Sequence, residues 1–341
     1  MGWRIGTVRG VPVYISRSWP VGAVLLGVLY YLSFAQALAR PTALLVSALA
    51  VLVLFASVFV HEISHGLMGA ALKRPPRSYT LTLLGGHTTF SAPDRTPGSM
   101  ALISFAGPAA NLVVAALAWA AQGLGEVGVY LTPVAVVNLV LGVFNLLPGL
   151  PMDGGQLVAA LAWYATDSRE KGLLVGGWSG RVLAVVVGVV GLVPAFTSDP
   201  ASALWTLLIA AFLWQGASRS IAVARARAQV AGVDLRPLMM PVPALDAAAR
   251  VAQLPATGAV LVQGTQPVAW VPAAALSQGA DPHLPATALA LAVPETNVLT
   301  QAVGPDAVAQ LAQARGDTVV LACDGRYYVG SVRQMAQHIS R

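Results

Sequence analysis

Two histidines four residues apart, His61 and His65, enclose Glu62 in the segment HEISH. On a helix, side chains at i and i+4 share one face, so both imidazoles can reach a single zinc ion. Glu62 is then placed to take a proton from water held beside that ion. The bare pattern arises by chance in unrelated proteins, but its setting is more telling. The preceding segment, Leu44–Val60, contains no charged residue. Two imidazoles and a carboxylate in such a stretch are costly unless they bind something. A polar packing patch, the plainer reading, leaves that cost uncompensated.

Catalytic zinc usually has three protein ligands, so one more is needed. Asp153 is one candidate. It sits in Asn145–Gly155 (NLLPGLPMDGG), where two prolines and three glycines interrupt an apolar span. Irregular backbone at membrane depth is tolerated only where protein or a water-filled cavity surrounds it, and an ionisable residue there is a functional candidate by default. Depth gives a check. His61 and His65 lie 12 and 8 residues before Lys73, roughly 12–18 Å from that end of a helix. Asp153 lies 14 residues before Asp167, about 21 Å on the same measure. The alternative for Asp153 is a helix N-cap. His87, after the Gly85-Gly86 pair, is the rival ligand, or else a polar loop residue.

The elements that must position these groups are apolar. Of 341 residues, 56% are hydrophobic and only 10% charged, against about 25% charged in soluble domains. Apolar runs near the length of a bilayer-spanning helix are expected at Trp19–Ala39, Ala43–Leu72, Ser99–Gln122, Val129–Tyr164 (interrupted), Gly180–Phe196 and Ala201–Ala222. The first is expected to be a retained span rather than a cleaved signal peptide. With the N-terminus cytoplasmic, thirteen basic residues fall on the inside and Arg40 alone outside. That bias supports six spans with both termini cytoplasmic, in the cell inner membrane. Ser78–Ser91 alternates polar and apolar residues around Gly85-Gly86 and reads as a short membrane-associated β-hairpin.

The net charge of +6 belongs to the membrane part. Residues 1–227 hold 14 basic and 7 acidic side chains, residues 228–341 hold 6 and 7. The excess therefore reads as topology signal, and a nucleic-acid partner is excluded. One cysteine, Cys323, excludes a disulfide framework within the chain. From 228 to 341 the composition becomes that of a soluble α/β module with two loosely similar halves. Each has a helical run (Leu245–Leu254; Ala307–Ala314), a strand (Ala259–Val262; Thr318–Ala322) and a second strand (Pro267–Val271; Tyr327–Val332). A last helix is expected at Gln334–Ile339.

HEISH in an apolar span, followed by FNLLPGLPMDGG in a later one, resembles the site-2 protease family of intramembrane zinc metalloproteases. Ala106–Asn111 (AGPAAN) and Gly85-Gly86 resemble that family's patterns too. The resemblance covers about Gly2–Ala222. It implies one zinc per chain, held by His61, His65 and Asp153, with Glu62 as general base. Asn145 and Pro148 match the Asn-x-x-Pro element, which gives Asn145 a catalytic part. It also implies the substrates: single-span membrane proteins cut within their transmembrane segment, such as anti-sigma factors and membrane-held regulators. The Ser78–Ser91 hairpin could offer an edge strand to an unwound substrate.

Residues 228–341 resemble a tandem pair of CBS domains, as in the family branch without a PDZ domain. Residues 123–128 leave no room for a PDZ insert. The module is expected to pack against itself or a second copy as a homodimer. Nucleotide binding is expected to be weak or absent, since the regions around Val268–Pro272 and Val329–Met335 lack the aspartate that would hold a ribose. Two other readings compete. A non-catalytic membrane metal protein has no evident need of Glu62 beside the ligands. A membrane-anchored protease of soluble chains would carry its motif beyond the bilayer edge.

Overall fold

The computed structural model describes residues 2–82, 85–123, 126–196, 200–276 and 279–339. The chain divides into two compact units, Met1–Ala224 and Arg225–Arg341, close to the composition change after Arg227.

The first unit runs β1 (Trp3–Val8), β2 (Val11–Ile15), α1 (Trp19–Phe34), α2 (Arg40–Ala71), β3 (Pro76–Thr82), β4 (Gly85–Phe90), α3 (Pro97–Ala120), α4 (Glu126–Asn145), α5 (Asp153–Thr166), α6 (Arg169–Phe196) and α7 (Pro200–Gln229). Its polarity is inverted relative to a soluble protein. Ser47, Ser57, His61, Glu62, His65, Ser104, Asn111 and Asn138 are buried, while Leu44, Leu52, Leu117, Val186 and Val189 are exposed. Exposed apolar surface on this scale needs an apolar solvent. Four helical segments, Arg40–Ala71, Pro97–Gly123, Arg169–Val193 and Ala203–Gln229, are long and apolar enough to cross a membrane, and Trp19–Phe34 and Leu131–Asn145 are shorter apolar helices. This is the make-up of a multi-pass helical membrane protein.

The expected hairpin is half of a larger sheet. Four strands lie in the order β1-β2-β3-β4. The outer pairs are antiparallel and β2 runs parallel to β3, with Val13 opposite Tyr79. Arg9 and Gly10 both take positive φ, 49° and 84°, as a tight hairpin turn between twisted strands requires. Gly85 and Gly86 are not the second turn. They open β4 opposite Thr82 and Leu81, and Leu83 and Leu84 lie outside the described residues. The sheet packs on α2, where an added Cβ at Gly66 would stand 2.6 Å from Tyr79 Cε1. Only a hydrogen at that position lets the strands come this close.

The fifth span is longer than expected, beginning at Arg169 rather than Gly180. Arg181 therefore lies well inside α6 rather than at its start, with its guanidinium carbon 4.9 Å from the Trp178 ring centroid and 4.8 Å from that of Trp214. Stacking on indoles lets a charge sit within the apolar stretch of the helix.

The second unit takes up the end of α7 and continues with β5 (Met240–Val242), β6 (Ala244–Asp246), β7 (Gly258–Gln263), β8 (Gln266–Pro272), α8 (Ala273–Leu276), β9 (Leu291–Ala292), β10 (Val298–Leu299), α9 (Pro305–Leu311), β11 (Thr318–Cys323), β12 (Arg326–Ser331) and α10 (Val332–Ile339). Two four-stranded sheets form, β6-β7-β8-β9 and β10-β11-β12-β5. In each, the first pair is parallel and the next two antiparallel, so the halves repeat in pairing as well as in order. Leu245–Leu254 is not helical. It is β6 followed by a 3-10 turn at Val251–Gln253, because the Asp246 carboxylate accepts from the Ala248 N–H, 2.8 Å away. That local bond competes with helix formation.

Candidate metal centre

His61 and His65 project from one face of α2, both buried. Their outward nitrogens are engaged. His61 Nδ1 lies 2.6 Å from Asn111 Oδ1 on α3, and His65 Nδ1 lies 2.6 Å from the Ile103 carbonyl. A carbonyl can only accept, so His65 carries its proton on Nδ1 and turns a bare Nε2 inward. Partners of this kind orient metal-binding histidines and raise their basicity.

Asp153 comes from the broken span. Residues 146–152 connect α4 to α5 without helix, and the neighbouring α6 satisfies part of their backbone. The Leu150 N–H donates to the Gly176 carbonyl at 3.0 Å, and Ser179 Oγ donates to the Pro148 carbonyl. Gly149 lies against Gly180, where a side chain would meet backbone. The break is thus surrounded by protein, the condition under which membranes tolerate one. Asp153 is no N-cap, since Met152 holds that position with no side-chain cap bond. Its carboxylate points at the histidines instead, at the helix end that favours negative charge.

Three donor atoms converge. His61 Nε2 and His65 Nε2 are 3.0 Å apart, and Asp153 Oδ2 is 3.0 Å from the first and 3.4 Å from the second. Asp153 Oδ2 is buried and finds no hydrogen-bond donor. Lone pairs so close repel unless a cation lies among them. A tetrahedral zinc ion, about 2.0–2.1 Å from each ligand, sets its ligands about 3.3 Å apart. The two-nitrogen, one-carboxylate set and its spacing fit that ion. Among the described residues, this is the group of histidine, cysteine and acidic side chains close enough to hold a metal.

Glu62 and Thr88 stand beside the donors. The Thr88 hydroxyl on β4 lies 2.7 Å from Glu62 Oε2 and 3.0 Å from the Glu62 carbonyl. His87, the neighbour of Thr88 on β4, is exposed and lines the cavity around the centre, but is not among the converging donors. Asn145 ends α4, with its amide donating to the Leu141 carbonyl at 3.0 Å. A cavity of about 430 Å³ is lined by the three donors, Glu62, Thr88 and Asn145.

Arg74 and Asp94 also line the cavity, 2.6 Å apart between Nη1 and Oδ1. Burial pushes the Asp94 carboxyl up from its ordinary value, against the lowering pull of Arg74 and Arg169. Spacing alone does not reveal Thr88, the Ile103 carbonyl or the role of Asn111, because each meets its partner through the fold.

Gly107 on α3 faces the centre. An added Cβ would stand 2.5 Å from His65 Nε2 and 2.6 Å from His61 Nε2. Gly107→Ala is therefore expected to displace both imidazoles and lower the zinc content well below one per chain by metal analysis of the purified protein.

Residues 125–176 match the model of peptidase family M50. The chain is 33% identical over 257 residues to "Putative zinc metalloprotease sll0528" of Synechocystis sp., covering 70% of this chain and 64% of that protein. It is also 33% identical over 171 residues to "Putative zinc metalloprotease Rip3" of Mycobacterium tuberculosis, covering 48% of this chain and 44% of that one. The solved structure "Site-2 Protease from Methanocaldococcus jannaschii" aligns with a TM-score of 0.48 at 21% identity, over 65% of this chain and 95% of that chain.

Proposed function

We propose that this chain is an intramembrane zinc metalloendopeptidase of the site-2 protease type, cutting single-span membrane proteins within their transmembrane segments. The observation that carries this reading is the set of three bare donors beside Glu62, in a cavity enclosed by helices whose outer faces are apolar. A zinc ion there supplies Lewis acidity to the scissile carbonyl and to attacking water.

His61, His65 and Asp153 hold the ion. Glu62, kept in place by Thr88, removes the proton from water and returns it to the leaving nitrogen. Asn145 uses one amide hydrogen on Leu141 and has the other for the oxyanion that develops on the substrate. A helical substrate hides its carbonyls, so it must unwind first. β4 is an edge of the sheet and carries Thr88, so a substrate strand added to β4 would run past Glu62.

In this reading six spans form residues 1–227, both termini are cytoplasmic, and the membrane is the cell inner membrane. Residues 228–341 are a cytoplasmic CBS-like pair that packs against itself or a second copy. Reporter fusions are expected to read inside after Arg227 and outside after Arg40 and Glu126. An outside signal after Arg227 overturns the topology.

The function itself is tested by co-expressing a panel of single-span proteins with the chain and with Glu62→Gln. Loss of full-length substrate with the former alone is the expected result. Identical substrate levels with both overturn the assignment.

A further inference from the structure

Behind His61 a chain of hydrogen bonds runs through the membrane part, joining α2, α3 and α4. Its direction is fixed by backbone carbonyls, which can only accept. Ser57 Oγ lies 2.8 Å from the Val53 carbonyl, so its one proton is donated there. Towards Asn138 that hydroxyl can then only accept. The Asn138 side-chain atom 2.9 Å from Ser57 Oγ also lies 2.9 Å from the Val134 carbonyl, so it is doubly required to be the amide nitrogen.

Asn138 must therefore present its oxygen to Asn111, whose amide nitrogen donates to it across 2.7 Å and also lies 3.4 Å from the Ser57 carbonyl. The oxygen of Asn111 is left facing His61 Nδ1 at 2.6 Å. That nitrogen carries the proton, and the Nε2 lone pair is directed at Asp153 Oδ2 and His65 Nε2. Asn111 and Asn138 are 0% and 1% exposed, so bulk solvent does not reach either amide to satisfy it in a reversed orientation.

We propose that Asn138 and Ser57 are positioning residues: with Asn111 they form a one-way hydrogen-bond relay that holds His61 in its metal-binding tautomer. Neither touches the donors, and both act through the orientation of the Asn111 amide. The inference rests on the metal-centre reading above. The sequence hides it, because the relay joins positions 27 and 81 residues apart.

The test is the equilibrium zinc affinity of the full chain in detergent, measured by competition with a chromophoric chelator. It is run alongside thermal unfolding of the metal-free protein. Asn138→Leu is expected to bind zinc about 10–100-fold more weakly, the range for loss of a partner that orients a ligand. Asn138→Ala replaces it where the leucine variant does not fold. In the background of Asn111→Asp, where either carboxylate oxygen accepts from His61, adding Asn138→Leu is expected to change zinc affinity less than about threefold, a coupling that a double-mutant cycle reads. An equal loss in both backgrounds means that Asn138 merely packs, and overturns the relay. Wild-type affinity in the single variant overturns it too. A wild type with no zinc affinity overturns the metal centre, and the relay falls with it.

Discussion

Glu62→Gln is expected to keep one zinc per chain while losing cleavage by a factor of about 10²–10⁴, the usual contribution of a positioned acid–base group. The substitution preserves shape. The glutamine still has an oxygen for the Thr88 hydroxyl, which lies 2.7 Å from Glu62 Oε2, so β4 should stay against α2. None of the three converging donors is removed. What disappears is a group that can accept a proton. Metal analysis and a cleavage assay on the same preparation separate the two properties. Turnover at the wild-type rate would remove Glu62 from the mechanism.

Asp153→Ala and His65→Ala are expected to do the reverse and abolish metal binding. Deleting either leaves two donors where the geometry has three within 3.0–3.4 Å. The loss should exceed the ~100-fold that removing an outer partner alone can cause. Asp153→Asn keeps an oxygen in place but gives up the charge, and should fall between wild type and Asp153→Ala. Zinc content by metal analysis after dialysis decides. Full retention in both alanine variants would overturn the ligand assignment, whatever the activity.

These expectations draw on features of unequal visibility in the sequence. The meeting of His61 with His65 is local, fixed by the helix period. Asp153 could be singled out because two prolines and three glycines broke an apolar span beside it. The partners of these groups are not local. Asn111 Oδ1 meets His61 across 50 positions and Thr88 meets Glu62 across 26, and no periodicity in either segment announces a partner. His87 is a fair rival on composition and lines the same cavity, yet it stays outside the converging donors, and that depends on how the sheet sits on α2, which no single strand displays.

The sheet was half legible for a similar reason. Ser78–Ser91 alternates visibly, but its parallel neighbour β2 comes from the other side of α1 and α2, and Val13–Ile15 pair with Tyr79–Leu81. The Arg9-Gly10 turn was the available signal for β1 and β2. In the second unit, Leu245–Leu254 has apolar spacing compatible with a helix. The Asp246 carboxylate holds the backbone N–H of Ala248 in a turn, and a local hydrogen bond of that kind outweighs a weak helical preference.

The most direct measurement is the position of the cut. The purified zinc-loaded chain would be reconstituted in liposomes with a single-span substrate, and the products mapped by mass spectrometry. The expected result is a pair of fragments whose new termini lie inside the hydrophobic segment, absent with a zinc chelator and restored by added zinc. Cleavage only outside the bilayer, or unchanged cleavage with Glu62→Gln in place of wild type, would contradict it.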